Sequence, residues 1–588
     1  MNRSLVGKPK LDKKKEYLIH AIFLIILFCI VLFRLNQYDM PASTTDELGY
    51  LAFPAQVVGL DWTDIMQYTN FYSKGYGILL IPFYMLFSSQ PWIVYKLAIM
   101  LNLILLCVCY FVCNYCAKEL FPEINTILRF ICCFILMLYP SNLFYSHVAL
   151  PEVLLYLLFW IEILFLIKFE NTKKSIWLLC FSATIGYMLI VHQRTIGVFI
   201  AALLLGIFLF FIKDISIKNI ALIIIVLLVC IIIWNIIRIS HYAYIGGAND
   251  LNQSNVSVFK ANSILSIVFE CLKNLDKYIF AVLGRVYYFL VIGNIPFFFG
   301  VIYIFRMLFQ QLKKLLKGEK RRYLSVYLFI ILAVLLTIAE AATGGVAISR
   351  LDTPVYGRYI ENVMGPIILC GLCYLISTKR YIIKIVIYLV SILVISPIVV
   401  YMMNQANETT FSIDSAVGFG AFFERNMQGE NCFERICIIV AVILITTLVI
   451  TILLYTKKNN IAFAGILLMT IGIFWFGIFA ISHEKFYENR IEIRNKYIDN
   501  ILPVLDGDDS AEIVYIRGKD PNCIAPKYIQ FLVPNRKIRV IDLNEVTPED
   551  ISNNCFIITY SQDEAMQVLD DSYQLLCTQY DVNIYKKE

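Results

Sequence analysis

The chain has 588 residues, of which 59% are hydrophobic and only 16% charged, with a formal net charge of +6 and a mean hydropathy of +0.72. A water-soluble globular chain does not combine these values, so lipid is its main solvent. The positive charge falls in short clusters between apolar runs, such as Lys13-Lys14-Lys15 and Lys320-Arg321-Arg322. This is the signature of cytoplasmic membrane loops and not of a nucleic-acid-binding face.

In chain order, residues 1–16 form a tail carrying Lys8, Lys10, Lys13, Lys14 and Lys15, and the first apolar run, 17–34, follows it. A basic tail places the amino terminus in the cytoplasm. No small-residue cleavage site follows the run, so it reads as a retained helix and not as a signal peptide. Spanning helices need about 20 mainly apolar residues, and further runs of that kind are read at 92–113, 126–145, 151–168, 176–192, 196–212, 220–238, 279–308, 323–342, 359–377, 381–402, 435–455 and 461–481. The total is about thirteen spans, and the 279–308 run, with Gly293, Asn294 and Pro296, is open to being split. Basic clusters recur in alternate connections, at 168–174, 213–218, 306–322, 378–384 and 457–458, as an inside-outside alternation requires.

That alternation places two long polar segments outside. The first, 35–91, contains the short apolar stretch Gly77 to Tyr84, which is too short to span and reads as interfacial helix. The second, 483–588, carries β-rich runs at 513–516, 538–541, 556–559 and 582–585, with helical stretches at 526–533 and 563–569 between them. The expected fold is an all-α polytopic membrane domain, 17–482, followed by a small external α/β domain in a plasma-membrane protein. Most of the seventeen cysteines lie within apolar runs, and the two C-x-x-C matches, Cys113 to Cys116 and Cys370 to Cys373, lack a second ligand pair, so packing is their expected role.

The first outer segment opens with Thr44-Thr45-Asp46-Glu47-Leu48-Gly49-Tyr50, followed by Asp61, Asp64 and tyrosines up to Lys74. An acidic pair here either sits in solvent or caps the helix after Thr44. Its position, the tyrosine after it and the amphipathic stretch beyond resemble the first external loop of GT-C glycosyltransferases, the class of the protein O-mannosyltransferases and the lipid A aminoarabinose transferase. The similarity is best over about residues 40–200. The helix number and the external carboxyl-terminal domain also look like the aminoarabinose transferase branch.

The resemblance implies a membrane enzyme that transfers a sugar from a polyprenyl-phosphate carrier to an acceptor hydroxyl of a glycan, lipid or protein on the outer face, with inversion. Such a reaction needs a base for the acceptor proton, and Asp46 is the candidate. Glu47 is the candidate to orient the acceptor or help hold a divalent cation; no cofactor is otherwise implied, and metal use varies within the class. The leaving phosphate needs cations at the outer surface, and Lys74, Arg194 in His192-Gln193-Arg194-Thr195, and Arg358 before Tyr359 are placed for this. Snorkelling to lipid headgroups is the competing explanation for each.

At the second outer turn, Glu152 follows Pro151, where capping alone accounts for it. Family members tend to carry an acid there, which adds Glu152 to the catalytic candidates and His147 to the substrate-binding ones. Tyr50 and Tyr359 join His147 as candidate substrate contacts, and Tyr68, Tyr72, Tyr76 and Trp62 are sugar-stacking candidates; Trp92 fits an aromatic belt. Glu340 is a weaker candidate as a costly intramembrane acid, and Asn252, Asn255 and Asn407 head sequons in outer loops. No Walker loop or G-x-G-x-x-G is present. Two alternatives share the topology: a transporter or lipid flippase, which calls for charged or broken helices at the midplane and pseudo-symmetric halves, and a glycan polymerase or ligase using lipid-diphosphate donors.

Overall fold

The computed structural model describes residues 12–42, 44–68, 73–244, 261–378, 381–427, 431–456, 461–518, 523–547 and, with short gaps, 551–587. The basic tail before Asp12, Tyr72 and the sequons at Asn252 and Asn255 lie outside them. Helix dominates. Helices α1 (Lys13–Leu32), α2 (Thr44–Val57), α3 (Thr63–Met66), α4 (Gly75–Phe87) and α5 (Pro91–Leu120) carry the chain through the first outer segment into the bundle. Then come α6 (Thr126–Met137), α7 (Pro140–Tyr145), α8 (Glu152–Thr172), α9 (Ser175–Val191), α10 (Ile196–Phe211), α11 (Ile217–Tyr244) and α12 (Ala261–Lys273). The bundle is completed by α13 (Leu275–Ile292), α14 (Asn294–Leu316), α15 (Leu324–Thr343), α16 (Gly365–Ser377), α17 (Ile382–Met403), α18 (Val417–Gly420), α19 (Cys432–Thr456) and α20 (Ile461–Arg494).

Among the described residues nine helices are long and apolar enough to cross a membrane, fewer than the thirteen runs read from composition. Three differences have local causes. Pro140 ends the 126–145 run early, because a prolyl nitrogen cannot donate within a helix, and α7 restarts on it. The 279–308 run is two helices that meet at Asn294, which adopts φ 51° and turns its side-chain oxygen to the Ile295 amide at 2.6 Å and the Tyr388 hydroxyl at 3.0 Å. The 359–377 run is α-helical only from Gly365; before it come a 3₁₀ turn, Glu361–Val363, and the non-helical segment that holds Arg358 and Tyr359. Helices α8 and α13 have span length but carry several charges, including Glu162 in α8 and Arg285 in α13. The chain is a multi-pass membrane protein.

Burial separates lipid-facing from central helices. Only 17% of the apolar window of α11 is buried, against 61% for α15, so α11 is peripheral and α15 central. The centre is tight: a Cβ at Gly300 or Gly371 would overlap the carbonyl oxygen of Ile367 or Pro296, respectively. Glycine lets α14 and α16 approach at backbone distance, the small-residue packing that membrane helices favour. All seventeen cysteines are free, and both C-x-x-C pairs are buried in this packing.

Helix α20 runs through the expected domain boundary at 483 and continues by a π-helical turn, Asn495–Ile501, to α21 (Leu502–Leu505). A compact sheet unit follows this helix. It contains β1 (Glu512–Arg517), α22 (Ile524–Leu532), β2 (Ile538–Asp542), β3 (Cys555–Thr559), β4 (Tyr573–Gln579) and β5 (Val582–Lys587). The sheet order is β2-β1-β3-β5-β4, with β1 parallel to β2 and β3 and the other pairs antiparallel. Alternation along β1 sends Ile513 and Tyr515 into the main core and Val514 and Ile516 into a small separate cluster.

This unit docks on the first outer segment. The Trp62 indole donates to the Pro534 carbonyl at 3.1 Å, Lys527 donates to the Tyr68 carbonyl at 2.7 Å, and Lys537 bridges Asp61 and Asp64, each at 3.2 Å. Trp62 is 2% exposed whereas Lys537 and Asp61 are nearly half exposed, so burial of the indole dominates over the ion pairs. Trp62→Ala is expected to destabilise the protein by about 3–5 kcal/mol and to speed proteolysis of the 506–587 unit. Lys537→Ala is expected to cost less than about 1 kcal/mol. Thermal unfolding in detergent and limited proteolysis of the two variants check the contrast.

Candidate active site

Three segments at one end of the bundle converge on one guanidinium. Arg358 Nη1 pairs with Asp46 of α2, its Nε donates to Glu152 Oε1 at 2.6 Å, and Asp414 Oδ2 lies 3.9 Å from Nη1. Glu152 Oε1 also accepts from Arg194 Nη2 at 3.0 Å. The result is a chain of charges, Asp46–Arg358–Glu152–Arg194, drawn from segments more than 300 residues apart.

Local structure explains why each side chain arrives there. Glu152 is the first residue of α8 after Pro151, so its carboxylate complements the helix dipole as well as the two arginines. Arg194 lies in the 3₁₀ turn Gln193–Thr195, between α9 and α10; its amide donates to His192 Nδ1 at 3.1 Å. The backbone of Arg358 is pinned because the amides of Gly357 and Arg358 both donate to the Ser415 carbonyl at 3.0 Å. A Cβ at Gly357 would overlap the Tyr288 ring, so glycine is needed for the turn to pack there. Tyr288 and Ser141 hold Glu361, three residues on, by short hydrogen bonds.

Exposure distinguishes the carboxylates. The Glu152 side chain is 5% exposed and lies between two guanidiniums, while Asp46 is 21% exposed. Asp46 is thus the more accessible acid of the two, and Glu152 is the buried counter-charge shared by both arginines. Burial alone would make Arg358 less basic, but Glu152 and Asp46 hold its guanidinium well above its ordinary pKa. Tyr50 and Tyr359 border the cluster: Tyr50 lies within electrostatic range of Glu152, Arg194 and Arg358, and the Arg194 guanidinium stands 5.3 Å over the Tyr359 ring. Glu340 reaches the same end of the bundle, within range of Arg194 and Arg285.

Other expected site residues lie elsewhere. Glu47 follows Asp46 on α2, about 100° further round the helix, and its two oxygens accept from Ala42 N at 2.8 Å, Ala149 N at 2.8 Å and Tyr95 Oη at 2.5 Å. It is fully buried. With donor hydrogens facing both oxygens, Glu47 does not fit a divalent cation, and among the described residues no group of three or more His, Cys, Asp or Glu could hold one. His147 packs in the same region, with Nδ1 2.7 Å from the Leu143 carbonyl and its ring 4.6 Å from that of His483. Arg490 of α20 joins the two: its Nη2 donates to Tyr95 Oη and to the His147 carbonyl, both at 3.1 Å. Glu47 and His147 therefore brace the second outer turn against the first loop and α20.

Lys74 caps the start of α4, 2% exposed, with its ammonium 5.3 Å over the Phe53 ring. Burial lowers its pKa to about 7. The Tyr50 ring, which borders the arginine cluster, packs edge-on 5.9 Å from Tyr76, two residues after Lys74. Sequence reasoning passed over Asp414 and Glu361; an acid in each outer segment was the available signal, but neither stands in a motif.

No protein-family model matches the sequence, nor does any curated protein sequence. Solved structures do match. ArnT from Cupriavidus metallidurans bound to undecaprenyl phosphate aligns with a TM-score of 0.55 at 13% identity, covering 96% of this chain and 97% of that one. The apo state of the same protein gives 0.53 at 13% identity, covering 98% of each chain. A more distant likeness, TM-score 0.42 at 11% identity, is to the oligosaccharyltransferase AglB from Archaeoglobus fulgidus, solved with an inhibitory peptide and a dolichol-phosphate; it covers 89% of this chain and 64% of that one. The end-to-end match to ArnT, sheet unit included, shows that the chain has the fold of that structure.

Proposed function

We propose that the protein is a glycosyltransferase that takes a sugar from a polyprenyl-phosphate carrier and passes it to an acceptor hydroxyl at the outer membrane surface. The observation that carries this reading is the Arg358 guanidinium shared between a reachable carboxylate, Asp46, and a buried one, Glu152. The likeness to an ArnT structure holding undecaprenyl phosphate supports a lipid monophosphate as the donor's leaving group.

Asp46 is the base. While paired to Arg358 it is a weak one, because the neighbouring cation stabilises its ionised form. The three carboxylates Asp46, Glu152 and Asp414 outnumber the guanidiniums of Arg358 and Arg194. A donor phosphate must therefore displace a carboxylate to gain Arg358, and Asp46 is the exposed one. Entry of the phosphate loosens the Asp46 pair and raises the basicity of its carboxylate. The acceptor oxygen then bonds to the anomeric carbon as its proton passes to Asp46; the bond from that carbon to the phosphate oxygen breaks, and the electron pair leaves on the polyprenyl phosphate. Attack opposite the leaving phosphate inverts the anomeric centre. Arg358 and Arg194 stabilise the charge developing on the phosphate. Lys74, at the start of α4, adds a further positive charge if the phosphate extends that far, and Tyr50 and Tyr359 line the sugar.

Asp46→Asn is expected to lower transfer by about a hundred- to ten-thousand-fold without lowering Tm, measured as sugar transfer in proteoliposomes at matched protein. Wild-type rates in that variant would remove Asp46 from the role of base. Arg358→Lys, which loses the fork shared by two carboxylates, is expected to cost about a hundredfold or more in turnover. Glu47→Gln should behave oppositely: it lowers stability by about 1–3 kcal/mol, because an amide cannot accept at both ends, and the protein that stays folded transfers at close to the normal rate. Assays with lipid-monophosphate and lipid-diphosphate sugars separate this reading from a polymerase or ligase, which would use only the latter.

A further inference from the structure

At the end of the bundle opposite the arginine–carboxylate cluster, a cavity of about 800 Å³ opens among the ends of α5, α14, α15 and α16. The 20-residue helix α15 separates the two regions, a length of about 30 Å. Nothing in the proposed transfer reaction uses this cavity. Four cations line it: Arg306 and Lys314 from α14, Arg322 from the turn before α15, and Lys384 from the start of α17. The carboxylates there are Glu119 and Glu123, and Glu119 is already bonded to Asn171 Nδ2 and Tyr323 Oη, both at 3.1 Å.

The cations are differently placed from their neighbours outside the cavity. Arg321 is neutralised by Asp214, and Lys173 lies 3.8 Å from the same carboxylate. Among the described residues no ion pair holds Arg306, Lys314 or Arg322. The loop is nevertheless ordered by a buried group: Gln311 Oε1 accepts from the Arg322 amide at 2.9 Å, which fixes Arg322 at the rim. The tyrosines Tyr303 and Tyr374, with ring centroids 5.4 Å apart, form the wall, and the Lys384 ammonium stands 4.9 Å over Tyr374.

The surroundings identify the ligand chemistry. On α14, Arg306, Gln310 and Lys314 follow one helical face into the cavity, while Phe305 and Phe309 are exposed on the adjacent face, 40% and 67% respectively. Ile382 and Ile383, just before Lys384, are exposed as well. A basic, tyrosine-walled cavity is thus bordered by apolar side chains turned to lipid, an arrangement suited to a phosphate headgroup with acyl chains along the helices beside it. We propose that this cavity is a binding site for a phosphate-bearing anion, filled by the headgroup of an anionic phospholipid of the leaflet remote from the active site.

The test uses the full-length protein, delipidated in neutral detergent and titrated with phosphatidylglycerol, phosphatidylcholine or inorganic phosphate, with bound lipid read by native mass spectrometry and Tm by thermal unfolding. Phosphatidylglycerol is expected to remain bound and raise Tm, and phosphatidylcholine to do neither. The double variant Arg306→Gln, Arg322→Gln, both positions being exposed, should weaken retention about thirty-fold, given the attraction expected of two basic groups near an anionic surface. The control Lys313→Gln, Lys317→Gln removes two exposed charges that do not line the cavity and should leave retention unchanged. If inorganic phosphate alone protects wild type and not the double variant, the site is a phosphate site supplied from solution, and the lipid assignment fails. If the control pair weakens retention as much as the cavity pair, or neither pair does, the cavity is not a site.

Discussion

Two arginines and a glutamate are buried where the outer segments meet, and ionised groups in such a place persist only when paired and hydrogen-bonded. Arg358 satisfies that constraint with carboxylates from α2, α8 and the 404–427 segment at once, so one guanidinium fixes the relative position of parts that are remote in sequence. Removal of Glu152 would leave Arg194 and Arg358 close together without their shared partner. The same condition that stabilises the outer end of the bundle also leaves one member of the network, Asp46, accessible and electrostatically replaceable. The structural charge and the charge proposed to react are here the two ends of one network.

A second buried network lies beside the first and does a different job. Glu47, Tyr95, Arg490 and the carbonyl of His147 connect the first loop, α5, the second outer turn and α20. Asp46 thus projects from a helix whose next residue is locked about 100° away by three donors. That coupling gives the Asp-Glu order a physical meaning: exchanging the two would place a longer side chain at the arginine and a shorter one where three donors must be met.

Much of the architecture could be read from the sequence, because lipid imposes long apolar runs and basic loops, and alternation imposes strands. The runs at 513–516, 538–541, 556–559 and 582–585 all lie in strands. Strand β4 was overlooked: it is a half-exposed edge, Tyr573-Gln574-Leu575-Leu576-Cys577, where two adjacent leucines break the alternation and the pairing itself shifts register between Leu575 and Cys577. The structure brings Asp46, Glu152, Arg194 and Arg358 into one charge network; the sequence pointed to them through the resemblance to GT-C enzymes, since capping or snorkelling accounts for each position taken alone. Glu47 and His147 were drawn into the same set because adjacency in sequence hides the 100° turn per residue of a helix. Asp414 depends on which loop folds back over Arg358, a tertiary fact with no local pattern.

The helical rod from Ile461 to Leu505 has 45 residues, about 68 Å at the α-helical rise, more than twice the thickness of a hydrocarbon core. Its middle is held where Arg490 meets Tyr95 and the His147 carbonyl, and the sheet unit stands beyond its far end. The unit at that end rests on Trp62 and Tyr68, in the same loop that carries Asp46. The rod is thus a spine common to the bundle, the loops of the charge network and the sheet unit, and one helix sets the frame in which all of them meet.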